Sequence, residues 1–356
     1  MTSDATAICV QSNGRAESKA VPLVSDPVRA HLRRWLGLPW PPQFFIPGCF
    51  CCGGGASGYS CGGVDAFSTS FYAQTDRTSF ATDVTSNIAA AALSTSRGEA
   101  AGVANPGVAG YVAGGRTSSL GAVALCDKLT FSTGITSAVG TSDLSTARYA
   151  LATLSERTSK AYFAGGYSTA ATTAAERLSF SNDTTAAQGT ATLTIARGGV
   201  RGLSEGTTKG YWGGGFTGFA IWTAQTDKIT FATDSSAVQT SANLSIPRDR
   251  YQSMSDGSTK GYLAGGQTGA GISVCDKVTF ATDVTNSQTS VAITRQGGTG
   301  FADGVSGYAL GGIEPAGLSK SGHKFIFATD TVVSLGAGSD LSLARTGLSG
   351  FSTVAL

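Results

Sequence analysis

The string GYLAGGQTGAGISVCDKVTFATD, residues 261–283, has near copies throughout the chain. GYVAGG begins at Gly110, AYFAGG at Ala161 and GYWGGG at Gly210, while a diverged first copy opens GYSCGG at Gly58 and a last one GYALGG at Gly307. Three markers recur in step. The tyrosines are Tyr59, Tyr111, Tyr162, Tyr211, Tyr262 and Tyr308. The phenylalanines that close segments such as DKITF are Phe80, Phe131, Phe180, Phe231, Phe280 and Phe327. The arginines of LSTAR-like segments are Arg97, Arg148, Arg197, Arg248, Arg295 and Arg345. All three give six copies of about fifty residues, a period that signals a propeller or an array whose units cannot bury their faces alone.

Each copy reads as four short strands. An apolar run such as YALATLS follows the arginine, and a polar turn such as ERTSK leads into GYxxGG, where paired glycines end the strand. The next segment alternates, with Leu129 and Phe131, or Ile229 and Phe231, on one face. The aspartate that usually follows (Asp83, Asp183, Asp234, Asp283, Asp330) is expected to cap backbone amides in a turn. A segment such as SDLSTAR supplies the fourth strand. Four antiparallel strands repeated six times predict an all-β, six-bladed propeller over residues 58–356. The 49 glycines and a charged fraction of 13% fit short strands joined by tight turns, and exclude a coiled coil or a charged disordered chain.

The ends predict how the ring closes. Nothing like an arginine-apolar strand precedes Gly58, whereas TGLSGFSTVAL after Arg345 matches YALATLS. The C-terminal strand is therefore expected to be the innermost strand of the first blade, which removes exposed sheet edges. Residues 1–57 form an arm of another kind. Ser25 or Asp26 as cap and Pro27 in the first turn predict a helix near residues 26–36, with Val28, Leu32, Trp35 and Leu36 on one stripe and Gly37 and Pro39 ending it. Such a helix packs on its own domain, anchors the chain in a larger particle or, being short, less readily lies on a membrane surface. The arm also holds the net positive charge of +2, leaving the repeats balanced and without a nucleic-acid groove. No apolar stretch is long enough to insert in a membrane, and the polar N-terminus lacks a signal-peptide core, so synthesis in a cytoplasm is expected.

Catalytic equipment is sparse. Cys49, Cys51, Cys52 and Cys61 do not follow the paired spacing of zinc knuckles, so no metal is expected, and their redox state stays open. Cys126 and Cys275, three blades apart, are read as small core residues. His31 and His323 are the two histidines, and His323 occupies a position where other copies have Asp or Glu. The six arginines, each with acidic candidates within the repeats, read as structural. No triad, phosphate loop or histidine cluster is present, so neither an enzyme nor a cofactor is expected.

The copies diverge most between the second and third strands. Two of these connections are aromatic: Phe67, Phe71 and Tyr72 in copy one, and Phe216, Phe219 and Trp222 in copy four. Their flat faces suit sugar rings or a protein partner, or they cover the propeller's own rim.

Arginine, apolar strand, aromatic and double glycine at this period resemble the kelch repeat, although the tryptophan usual near the end of a kelch unit is missing. The wording GYxAGG, DKxTFxTD and LSxAR also looks like propeller repeats of tailed-phage virion and tail-fibre proteins. That resemblance implies a non-enzymatic virion component in a homo-oligomeric assembly. Its arm would hold it to other virion proteins, and its loops would bind a host-surface glycan or receptor. The alternatives are a cellular kelch-like interaction scaffold and, from another class, a carbohydrate-active propeller enzyme.

Overall fold

The computed structural model describes residues 6–12, 15–21, 55–118, 121–218 and 221–355. The chain divides into two compact units, Met1–Gly54 and Gly55–Leu356. In the first, Thr6–Ser12 pairs antiparallel with Arg15–Val21 as a hairpin that the sequence reading did not anticipate. The helix expected near 26–36, with Val28, Leu32, Trp35 and Leu36, lies outside the described residues, as do His31, Cys49, Cys51 and Cys52.

The second unit contains six four-stranded antiparallel sheets. In blade three the order is Ala152–Glu156, Lys160–Ala164, Ala175–Ser179 and Thr184–Gln188, each paired with the next. The innermost strands of the six blades (Ser349–Ser352, Ala101–Asn105, Ala152–Glu156, Arg201–Ser204, Gln252–Ser255 and Thr299–Ala302) touch one another in a closed cycle. Blade one is assembled from both ends of this unit: Ser349–Ser352 pairs with Ser57–Cys61, with Tyr59 opposite Phe351. The ring is the six-bladed propeller expected, closed by its C-terminal strand. The fourth strand, expected in segments such as SDLSTAR (142–148), is instead the stretch before it, Ile135–Ala138 in blade two, and 142–148 forms the link to the next blade.

Two features of the repeat explain the packing. Each repeat tyrosine stacks on the repeat phenylalanine of the next blade at 5.2–5.9 Å, from Tyr308 on Phe80 to Tyr162 on Phe231. The residue before each tyrosine must be small because an innermost-strand side chain of the preceding blade lies against it. A Cβ at Gly58 would fall 2.1 Å from Phe301, and one at Gly110 would fall 2.0 Å from Phe351. Blade three has Ala161 there instead, sharing its core cluster with the smaller Val103. The first glycine of each pair turns the chain beside the buried arginine. At Gly114, φ is +67° and a Cβ would lie 2.5 Å from the Arg148 carbonyl oxygen.

Blades four and six carry extra hairpins between their second and third strands, Phe216–Gly218 with Ile221–Trp222 and Ile313–Glu314 with Gly317–Leu318. The helical segments among the described residues are single 3-10 turns, such as Gly140–Ser142.

Candidate functional site

The repeated charges belong to the framework. All six repeat arginines are essentially inaccessible to solvent. Arg97, Arg148, Arg197, Arg248 and Arg345 each donate to an equally buried acid on the third strand of the following blade (Asp127, Glu176, Asp227, Asp276 and Asp76) at 2.6–3.0 Å. The same acids accept backbone N–H bonds from the preceding link, as Asp127 does from Ser94 and Asp227 from Thr194. Each pair therefore ties one blade's exit to the next blade's body. In blade six the acid's position is taken by His323, and Arg295 pairs instead with Glu314 of the extra hairpin. The His323 Nδ1 lies 3.3 Å from Arg295 Nη2. Burial and the Arg295 charge together push the His323 pKa down, which keeps the ring neutral.

The turn aspartates do something other than capping. Asp83, Asp183, Asp234, Asp283 and Asp330 hold left-handed backbone, with φ between 49° and 56°. Their carboxylates reach back to the preceding blade, where each accepts a bond from that blade's repeat tyrosine. Each also pairs with one or two cations; Asp283 accepts from Lys209 and Lys228, both at 2.7 Å. The expectation of amide caps fails because the tyrosine hydroxyl and lysine ammonium of the neighbouring blade converge on this point, and charged donors bind a carboxylate more strongly.

A second ring closes the axis. Two residues beyond each repeat arginine stand Glu99, Ala150, Gly199, Arg250, Gly297 and Gly347, all left-handed with φ from 54° to 67°. The N–H of each donates to the carbonyl of its counterpart in the preceding blade at 2.7–3.4 Å, forming an unbroken cycle. Three of these positions carry side chains despite the strain that a Cβ brings to such backbone. Two of the three meet across the axis: Arg250 of blade five reaches Glu99 of blade two at 3.1 Å, and Arg116 donates to Glu99 at 2.8 Å. Deeper along the axis lies a cavity of about 170 Å³ lined by residues such as Thr153, Ser204, Ser255 and Phe351. At its far end Arg157 bonds the Gly257 carbonyl at 3.4 Å.

Around this mouth, on the face of the second-to-third-strand connections, the frame repeats but the side chains do not. One residue after each glycine pair forms a bridge with the residue after a repeat arginine, as Arg116 does with Gly98, Tyr149 with Tyr167 and Asp249 with Gln267. Half-buried aromatic rings of blades one, three and four are linked through Arg116 of blade two. The Arg116 guanidinium lies over both Phe71, at 5.8 Å, and Tyr149, at 5.4 Å. Tyr149 packs on Tyr167, Tyr167 on Phe216 and Phe216 on Trp222, with centroids 5.3–6.3 Å apart. The Tyr167 hydroxyl donates to the Phe216 carbonyl and the Trp222 indole N–H to Asp249, at 2.9 Å, so the arc is fixed at its polar ends. Burial raises the Asp249 pKa against the pull of Arg250 and Trp222, and burial likewise raises that of Tyr167.

The structure thus brings together Phe71, Phe216 and Trp222 from the sequence-derived set. Tyr72 is half-buried beside them in the chain and shares none of the ring contacts of the arc. Phe67 stands apart, 87% exposed at a loop tip that Asp65 fixes by accepting the N–H groups of Phe67, Thr69 and Ser70. Phe219 lies outside the described residues. Tyr149, Tyr167 and Arg116 were not found by sequence reasoning. Their signal was substitution at positions beside invariant arginines and glycine pairs, rather than unusual loop length. Among the described residues no group of three or more His, Cys, Asp or Glu is placed to hold a metal ion. Cys61, Cys126 and Cys275 are buried free thiols, and burial pushes the Cys61 thiol up to about 12, so it is inert as a nucleophile.

Searches against protein-family models and against curated proteins return no match to this chain.

Proposed function

We propose that the propeller is a non-enzymatic binding module, that its ligand face is the aromatic mouth, and that the ligand is a surface glycan. The observation that carries this reading is the arc from Phe71 through Arg116, Tyr149, Tyr167 and Phe216 to Trp222, bordered by Glu99, Asp249 and Arg250. Flat rings held in place suit the apolar faces of pyranoses, and neighbouring carboxylates and guanidiniums suit their hydroxyls. The likeness of the repeat wording to phage virion propellers favours a host-attachment role, with the N-terminal arm as anchor to the particle and the propellers presented as a homo-oligomer.

A panel of bacterial surface glycans tests the reading, with binding and product release both measured. One or more glycans are expected to bind and remain intact. Replacing Trp222 and Tyr149 together by Ala is expected to weaken that binding by at least ten-fold, since buried aromatic anchors are worth about 2 kcal/mol or more. The outer-strand variant Val333→Ala should bind like the parent protein. Binding that survives loss of both rings would remove the mouth as the ligand face, and turnover of a glycan would make the protein an enzyme.

A further inference from the structure

Five of the six seams between blades are fastened by a turn aspartate, and one is not. At the seam between blades one and two the turn residue is Gly134. Its backbone keeps the left-handed conformation of the aspartates, with φ at 66°. The receiving side keeps its form too. Tyr59 stacks on Phe131 at 5.7 Å and 9°, matching Tyr211 on Phe280 at 5.8 Å and 9°. Arg77 stands opposite Tyr59 across the sheet, in the place that Lys128, Lys228 and Lys277 hold in their own blades. Burial raises the Tyr59 hydroxyl pKa, and the adjacent Arg77 guanidinium draws it part of the way back. Among the described residues Arg77 forms no ion pair, and its Nε is buried without a hydrogen-bond partner.

The turn opposite this hydrogen-bonded pair, Tyr59 and Arg77, carries no side chain. A Cβ on Gly134 would meet nothing within 4 Å. At the other seams the aspartate side chains occupying the equivalent place remain 16–32% exposed, so it is reachable from solvent. We propose that the seam between blades one and two is a carboxylate-binding site, in which the Tyr59 hydroxyl and the Arg77 guanidinium receive an acidic side chain presented by a partner protein. The molecule supplies the template for the occupant five times over: an aspartate on a tight turn, bound by a tyrosine and a cation. The site lies among the third-to-fourth-strand turns, on the face away from the aromatic mouth, and is independent of what that mouth binds. Its occupation would fasten blade one, the blade that closes the ring, to blade two.

Acetate is the minimal probe. In the full chain at neutral pH, acetate is expected to raise the unfolding temperature saturably, by about 2 °C at a few hundred millimolar, relative to chloride at equal ionic strength. Gly134→Asp, which supplies the carboxylate in cis, is expected to melt higher than the parent in chloride and to lose the acetate response. Arg77→Gln is expected to lose that response without the gain, and serves if the first variant folds poorly. An acetylated, amidated Thr-Asp-Val peptide, copying residues 82–84, should reproduce the rise at lower concentration than acetate. No acetate response in the parent, or an equal one in Gly134→Asp, would overturn the site. A response to acetate with none to the peptide would overturn the protein partner.

Discussion

The seam between blades four and five and the seam between blades one and two share a fold and differ in chemistry. At the first, Asp283 takes a hydroxyl from Tyr211 and two ammonium groups from Lys209 and Lys228. At the second, the same tyrosine stack and the same left-handed turn meet through Gly134, without a carboxylate. A supporting contact is missing as well. Thr141 bonds the Asp183 carbonyl and Ser241 the Asp283 carbonyl, whereas blade one has Ala90 at the corresponding place. Backbone geometry is thus set by packing of the rings and by the turn, and survives when the charged clasp is removed. Strength at each seam is a separate property, added by side chains.

The buried arginines are the part of the framework on which the two seams agree, and breaking one has the largest consequence. Arg197→Met leaves Asp227 uncompensated in the core and is expected to cost about 3–5 kcal/mol. Arg345→Met beside the closing strand is expected to cost as much, because Asp76 is equally buried. Thermal or urea unfolding measures both, and a marked difference between them would mean that the closing seam is not held like a seam between consecutive blades.

Glu314→Gln asks whether a substitute clasp matters as much as a repeated one. Arg295 is fully buried and Glu314 a quarter exposed, so a loss of about 2 kcal/mol is expected, less than for the arginine variants. An unchanged stability would show that His323 and the backbone carbonyls suffice for Arg295.

Asp283→Asn turns the stronger seam into a likeness of the weaker one and is expected to cost about 1–2 kcal/mol at neutral pH. Burial alone would raise the Asp283 pKa, but hydrogen bonds from Lys209, Lys228 and Tyr211 outweigh it and hold the carboxyl at about 2, against an ordinary 3.8. A depressed folded-state value contributes stability above the unfolded pKa, and that stability is lost as pH falls from about 4 to about 2. The parent protein is therefore expected to lose its advantage over Asp283→Asn across that window. A gap that persists at pH 2 would place the benefit in packing rather than charge.

Much of the frame was legible because its chemistry repeats in register. The tyrosine, phenylalanine and arginine markers each recur six times, so blade number, strand order and closure by residues 349–352 follow from periodicity. The structural role of the arginines was legible too, since each repeat brings its own acid. The destination of the turn aspartates was not: Asp283 bonds Tyr211 and Lys209, more than seventy positions earlier, and one copy read alone offers only its own amides. Glu314 escaped because it belongs to an insertion that replaces a repeated residue from another place. The mouth was half legible. Loop divergence marked Phe216 and Trp222, but Tyr149 and Tyr167 occupy ordinary repeat positions that the inner strand pair of blade three brings together, and Tyr167 reaches Phe216 only across the junction with blade four.

Hydrogen exchange resolved by strand measures most directly whether side-chain clasps set the strength of this ring seam by seam. In the parent protein, the strands facing each other at the one–two seam, Ser57–Cys61 and Cys126–Thr130 among them, are expected to exchange before their counterparts in blades four and five. Gly134→Asp is expected to slow exchange there and leave the other seams unchanged. Uniform exchange around the ring, first opening at a clasped seam, or no local protection from Gly134→Asp would contradict it.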